Sequence, residues 1–413
     1  MTSDQSISSG DFGPAESAEV EPVFRARARM WLEMNAVRRG DPGDFSASHL
    51  FSANDLSEYW RREREVFDLV ISWQRRLYES GWAGISWPKE HGGQGLPEWA
   101  EEAFGEEHAR FGVSTKLLSV GLQLVASAIR VHGTSAQKVR YLLPILRAEE
   151  VWCQLFSEPD AGSDLTAVRT RAVRVDGGWI VDGQKVWTSG AGASNLGMLL
   201  ARTQDGSEGR VGLACLVVDM KARGVEVRPL REMSGAYHFN EVFLSGVHVA
   251  DDCIVGSDGD GWSVARTMLS SERASIGGGT SARAALELIA AAREGNVHHD
   301  ASVRQSLAAA FVRERVLDLH MQRMQEDQTV KGGGSVLKLM YSEHARLTSS
   351  AAMAVLGMGS IAGESERSRA WRERFLFSPG LRIGGGTDEM QRNLIAERGL
   401  GLPRESQFVG GSR

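Results

Sequence analysis

The apolar residues of this chain change their period twice, near Val151 and again near Gly261, and that change constrains the fold more than any single motif. Up to about residue 150 they recur at helical spacing. The stretch EYWRREREVFDLVISWQRRLYESG puts Val66, Leu69, Val70, Trp73 and Leu77 on one face, and Gly81 supplies a stop. Further helical runs cover residues 98–111, 116–132 and 135–147. From Val151 the chain breaks into short strand-like pieces: VWCQLF, VRTRAVRV, WIVDG, QKVWTS, GMLLAR, LACLVVD and FNEVFL. Alternation is clearest in VRTRAVRVDGGWIVDGQKVW, where Gly177-Gly178 can close a hairpin. After Gly261 long amphipathic runs return, from GWSVARTMLSSERASI to TDEMQRNLIAERGL, as in a helical bundle.

Helix, strand and helix in three blocks exclude a doubly wound sheet, in which strand and helix alternate. The expected fold is therefore α+β and multidomain. A polar tail over residues 1–20 precedes a helical domain at 21–150, an antiparallel β-barrel domain at 151–256 and a four-helix-bundle domain at 257–413. At 413 residues the chain is long enough for several cores.

Composition removes several function classes. A net charge of −6 leaves no basic footprint for nucleic acid, and no apolar run reaches the length of a membrane span. The N-terminal MTSDQSISSGDFGPAESAEVEP lacks the basic start and apolar stretch of a signal peptide. Cys153, Cys215 and Cys253 lie far apart, which argues against a disulfide framework or a zinc site and for a reducing, cytoplasmic setting. The His298-His299 doublet reads as part of a polar connector rather than a metal site.

Two stretches can carry chemistry. In CQLFSEPDAGSD, small and hydroxyl-bearing residues let backbone N–H groups approach a planar ring or a phosphate, or simply form a capped bend. In GQKVWTSGA, Trp187 can stack on a cofactor while Thr188 or Ser189 bonds a ring nitrogen. Equally, Trp187 can fill a barrel core.

Taken together and in order, CQLFSEPDAGSD, GQKVWTSGA, FNEVFL, GDGWSVA, SERASIGGG and GGTDEMQRNLIAERGLGLP strongly resemble the acyl-CoA dehydrogenase family, over nearly everything from about Gly81 to Pro403. The resemblance implies the same three-block architecture, FAD as cofactor and α,β-dehydrogenation of an acyl-CoA thioester. It places Gln154, Leu155, Phe156, Ser157, Gly162 and Ser163 along the flavin, with Ser163 also near the CoA. It places Trp187, Thr188 and Ser189 beside the isoalloxazine, and Thr387 and Glu389 toward the ADP half. Met353 to Gly357 would form a loop touching FAD across a subunit boundary. It further implies an electron-transfer flavoprotein as acceptor and a homotetramer or dimer, with a heteromer left open.

Many members carry their catalytic glutamate just before the Gly-Thr of the C-terminal motif, where this chain has Gly385. The resemblance to isovaleryl- and long-chain-type members instead implies Glu272, in MLSSERASIGGG, as the base. By periodicity alone Glu272 beside Arg273 would read as an ordinary surface residue. Arg273, Gly385 and Gly386 are implied substrate contacts, Arg273 toward the CoA and Gly385 through its backbone N–H. Asp388, at the start of the next helix, reads as a capping acid. Two departures stand out. No Phe-Gly follows Arg293, where an Arg-x-x-Phe-Gly motif is usual, and Met353 replaces a usual glutamine. They keep open a non-catalytic or half-site subunit of a heteromer. A flavin-dependent acyl-CoA oxidase or nitroalkane-oxidase-like enzyme is the other alternative, although the latter resembles members with an Asp at the Gly385 position.

Overall fold

The computed structural model describes residues 20–46, 55–204, 207–277, 284–326 and 331–403. The chain divides into two compact units, one up to Met268 and one from Leu269 onward. The expected tail, apart from Val20, lies outside the described residues.

The first unit begins with helices α1 (Glu21–Asn35), α2 (Leu56–Glu79), α3 (Glu98–His108), α4 (Ala126–His132) and α5 (Ser135–Leu146). Asp55 caps α2 by accepting from the Glu58 amide, and Thr134 with Gln137 closes a capping box on α5. The face predicted for α2 is buried at Val66, Val70, Trp73 and Leu77, but Leu69 is 48% exposed. The run read as a helix over 116–132 is a 3₁₀ turn and a π turn leading into α4.

Eight strands follow in one sheet: β1 (Trp152–Leu155), β2 (Arg171–Val175), β3 (Gly178–Ser189), β4 (Leu196–Arg202), β5 (Leu213–Asp219), β6 (Val225–Leu230), β7 (Phe239–Ala250) and β8 (Ile254–Val255). The ladder runs β6-β7-β3-β2-β4-β5-β8, with β1 added on β4. Most pairings are antiparallel. However, β1 lies parallel to β4, and β2 meets β4 in parallel at Arg171 and Arg202. Long connections rather than tight turns join these strands, which permits the parallel sense. Among the described residues no pairing joins β6 to β8, so the expected antiparallel barrel has an open ladder. The β2–β3 register pairs Val175 with Gly178, so the hairpin turns on Asp176-Gly177, with Gly177 at φ +76°, rather than on Gly177-Gly178.

Helix α6 (Gly261–Gly277) contains the division between the units. The second unit continues with α7 (Ala284–Glu294), α8 (Ala301–Glu326), α9 (Gly333–Leu356), α10 (Met358–Ala362), α11 (Glu366–Leu381) and α12 (Asp388–Leu394). Leu288 of α7, Leu307 of α8, Val355 of α9 and Trp371 of α11 share one core, as in a four-helix bundle.

Candidate active site

In the first unit the candidate residues sit on two neighbouring pieces of the sheet. Gln154, Leu155 and Phe156 run along and just past β1, where Leu155 and Phe156 are buried. Their side chains serve the core, which leaves the backbone and half-buried Ser157 for a ligand. The chain then turns tightly: the amides of Glu158 and Ala161 each donate to the other's carbonyl, at 3.0 and 3.1 Å. Gly162 and Ser163 are exposed beyond that turn, and a Cβ at Gly162 would meet open space.

A buried ion pair holds this turn from beneath. Lys185 of β3 is fully buried, and its ammonium donates to Glu158 Oε1 (2.8 Å), Phe156 O (3.0 Å) and Leu200 O (2.7 Å). All three of its donors are thereby satisfied. The Glu158 carboxylate also accepts the amides of Arg169 (2.7 Å) and Thr170 (2.9 Å). Burial works to raise the Glu158 carboxyl, but Lys185 and the other donors outweigh it and hold it below the ordinary value. Burial pushes Lys185 down to about 8 against the opposing pull of Glu158, which still leaves it charged at neutral pH.

The end of β3 carries a bulge. Lys185 pairs with Val242, but Thr188 pairs with Asn240, so one extra residue is accommodated between them. Trp187 lies in that segment at φ +61°, a left-handed conformation that a bulky side chain rarely adopts. Its ring is 60% exposed and meets only the edge of Phe239 among described rings, at 5.8 Å. Ser189 is exposed, whereas Thr188 is buried with its Oγ1 lacking a hydrogen-bond partner. The adjoining Val186 amide donates to Ser157 O at 2.9 Å, tying bulge and turn together. An exposed aromatic face, exposed hydroxyls and open backbone fit a flat, polar-rimmed ring system with a phosphate-bearing tail.

In the second unit Gly385 and Gly386 have φ of +66° and +87°. Gly385 is thus more than a position vacated by a carboxylate, because its backbone conformation itself disfavours a side chain. A Cβ at Gly386 would approach Gln391 Nε2 to 2.7 Å. That nitrogen donates to the carbonyls of Gly385 (2.9 Å) and Gly386 (3.3 Å). Thr387 is the N-cap of α12 and accepts from the Met390 amide. Asp388 therefore does not cap the helix. Its carboxylate turns inward to Arg382 Nε (2.6 Å), Ser342 Oγ (2.9 Å) and Lys338 Nζ (3.4 Å). Burial favours its neutral form, but these three donors hold its carboxyl below the ordinary value. Glu389 points to solvent and lies 3.8 Å from Arg392.

Glu272 is half-buried on α6. Arg273 follows it, with its side chain outside the described part of the structure, as are Gly278 and Gly279 of SERASIGGG. Met353 belongs to the last turn of α9 and packs on the bundle core, so only Gly357, at φ +53°, occupies the expected loop. Arg293 is exposed at the end of α7. Among the described residues no group of His, Cys, Asp or Glu could hold a metal ion, and all three cysteines are free. Sequence reasoning missed Lys185, Asn240, Lys338, Arg382 and Gln391. For Lys185 the available signal was a lysine inside an otherwise strand-like run, QKVW.

A helical block, an eight-stranded sheet and a helical bundle follow one another in a multidomain α+β protein, with an exposed tryptophan and hydroxyls at the end of β3. The N-terminal, middle and C-terminal domains of acyl-CoA dehydrogenases match residues 46–149, 153–247 and 259–400, so the chain belongs to the acyl-CoA dehydrogenase family. The acyl-CoA dehydrogenase IpdE1 of Mycobacterium tuberculosis is 36% identical over 389 residues, covering 93% of this chain and 98% of the relative. FadE34 of the same organism is 37% identical over 335 residues, 80% of this chain and 46% of the relative. Among solved structures, the Tcur3481-Tcur3483 steroid acyl-CoA dehydrogenase superposes with a TM-score of 0.79 at 27% identity, covering 95% of this chain and 100% of that one. The ChsE4-ChsE5 complex from Mycobacterium tuberculosis gives 0.75 at 25% identity, with 95% and 100% covered. The chain is an acyl-CoA dehydrogenase, and its cofactor is FAD. No helix among the described residues is long and apolar enough to cross a membrane.

Proposed function

We propose that this chain converts an acyl-CoA thioester to its trans-2-enoyl-CoA, with Glu272 removing the α-proton. What supports the base assignment is the family resemblance, together with the lack of a carboxylate at Gly385. Asp388, the buried acid beside the glycine loop, is fully engaged by Lys338, Ser342 and Arg382, and Glu389 faces solvent. Glu272 is then the half-buried carboxylate that the family resemblance implies for this branch.

Bound FAD supplies the hydride acceptor. Trp187, Ser189, Ser157 and the turn through Gly162 and Ser163 hold its ring system, Thr188 contributing through its backbone. The Gly385 backbone N–H donates to the thioester oxygen, and Arg273 contacts the CoA. A C–H beside a carbonyl is a very weak acid, so a donor preorganised for the developing enolate oxygen is as necessary as the base. The electron acceptor is an electron-transfer flavoprotein. The neighbouring Tcur3481-Tcur3483 enzyme supports a steroid-derived thioester as the substrate class.

A second reading, a flavin-sparing subunit in a heteromer, is favoured by the loss of Phe-Gly after Arg293 and by the helical Met353. In an anaerobic titration with straight-chain, branched and steroid-derived thioesters, the flavin band of the wild type is expected to bleach with one class. Glu272→Gln should retain FAD and bleach at least about 10²-fold more slowly. Bleaching at the wild-type rate would sink the base assignment. Less than one FAD per chain in a purified mixed complex would favour the second reading.

A further inference from the structure

At the exposed end of β3 lie buried polar side chains that the reaction does not use directly. Asn240 of β7 is fully buried, and its Nδ2 donates to the Thr188 carbonyl at 3.0 Å. That acceptor fixes which way the amide points. On α2 the Tyr59 hydroxyl donates to Glu63 Oε1 at 2.7 Å, and the Tyr59 ring meets that of Tyr237, just before β7, at 5.2 Å. Tyr59 and Glu63 are both buried. The turn after β3 rests on the same helix: a Cβ at Gly190 would touch Phe67, and one at Gly192 would collide with Trp60 and approach Glu63 Oε2.

The bulge ends at the carbonyl that Asn240 holds. Trp187 is held left-handed and exposed by the register shift that Asn240 itself closes, opposite Thr188. Strain of this kind persists only where surrounding structure over-determines it, and it concentrates at ligand-binding positions. A buried asparagine amide costs desolvation unless it does something the ladder cannot. Here it ties down a carbonyl within the irregular segment.

We propose that Asn240 is a positioning residue for the flavin. By holding the Thr188 carbonyl it keeps Trp187 and Ser189 presented before the cofactor arrives, while α2 packs under the turn that follows. This inference rests on the reading of the β3 end as part of the flavin site. Without the amide, the bulge relaxes and the cofactor must order it at the expense of affinity.

The test compares Asn240→Leu with Val242→Ala, which thins the core of the same strand without touching the amide. Hydrogen exchange is followed in the flavin-free protein over peptides spanning residues 186–195, and FAD dissociation constants and flavin absorption maxima are measured separately. Asn240→Leu is expected to speed exchange in that segment about tenfold, weaken FAD about tenfold and shift the flavin band. Val242→Ala is expected to leave band and affinity within about twofold at similar thermal stability. Unchanged exchange in Asn240→Leu would overturn the positioning role. Faster exchange with unchanged FAD affinity would uphold Asn240's hold on the bulge but overturn the placement of flavin there. Should Asn240→Leu not fold, Asn240→Ser, which shortens the side chain beyond reach of Thr188, reads the same quantities.

Discussion

Arg382 and Asp388 hold each other twice. The guanidinium Nε donates to Asp388 Oδ2 at 2.6 Å, and the Asp388 amide donates to the Arg382 carbonyl at 3.0 Å. The glycine loop between them is thus closed by side chain and main chain together. Gln391 pins its carbonyls from within, while Lys338 and Ser342 anchor its acid to α9.

Asp388→Asn should destabilise the protein by about 3 kcal/mol, because the fully buried Lys338 loses its counter-charge. The folded carboxyl titrates below its ordinary 3.8, so its contribution is complete above that value and disappears as pH falls through the folded one. Urea denaturation of both proteins should show the full gap at pH 7 and a closing gap in strong acid. A gap independent of pH would contradict the ion-pair account.

Removing the ammonium beneath the Ser157–Ser163 turn is expected to act on stability and on the cofactor. Lys185→Met leaves the Glu158 carboxylate buried with only its backbone donors, at a cost of about 3 kcal/mol. Purified Lys185→Met should carry less FAD per chain than the wild type. Full flavin content with unaltered urea midpoint would mean that the turn holds its shape without the pair.

Glu63 presents the opposite sign. Burial raises its carboxyl above the ordinary 4.5, partly countered by the Tyr59 hydroxyl. The unfolded chain therefore releases this proton first, and stability drains away as pH rises from that ordinary value through the folded one. Glu63→Gln keeps an acceptor for Tyr59 and abolishes the drain. Melting temperatures should coincide near pH 4 and favour the variant at pH 8, and a variant less stable at both would refute this.

At Gly385 a methyl group meets the left-handed conformation, so Gly385→Ala should cost about 1–2 kcal/mol. Gly162→Ala, facing open space, should stay within about 0.5 kcal/mol. Equal effects in calorimetry would show that backbone conformation is not what distinguishes the two.

The three-block order was legible because period changes survive without any tertiary information. Helix α11 was not: ERSRAWRERFLFSPGL distributes charge all round, and only its packing defines it. Strand β6 carries Pro229 and lies at the end of the ladder, where partial exposure blurs alternation. The motifs drew attention to Ser157, Trp187 and Thr387 but not to the side chains that support them. Glu158 meets Lys185 across 27 residues and Asp388 meets Lys338 across 50, separations at which no local pattern reports a partner. The left-handed Trp187 was equally invisible, since its conformation follows from the β7 register.

The ammonium of Lys185 also bears on the order of events during synthesis. It can shed its water only when Phe156, Glu158 and Leu200 have all converged on it, and those acceptors lie just beyond β1 and in β4. The turn that carries Ser157 to Ser163 is therefore completed only by chains whose sheet has already assembled.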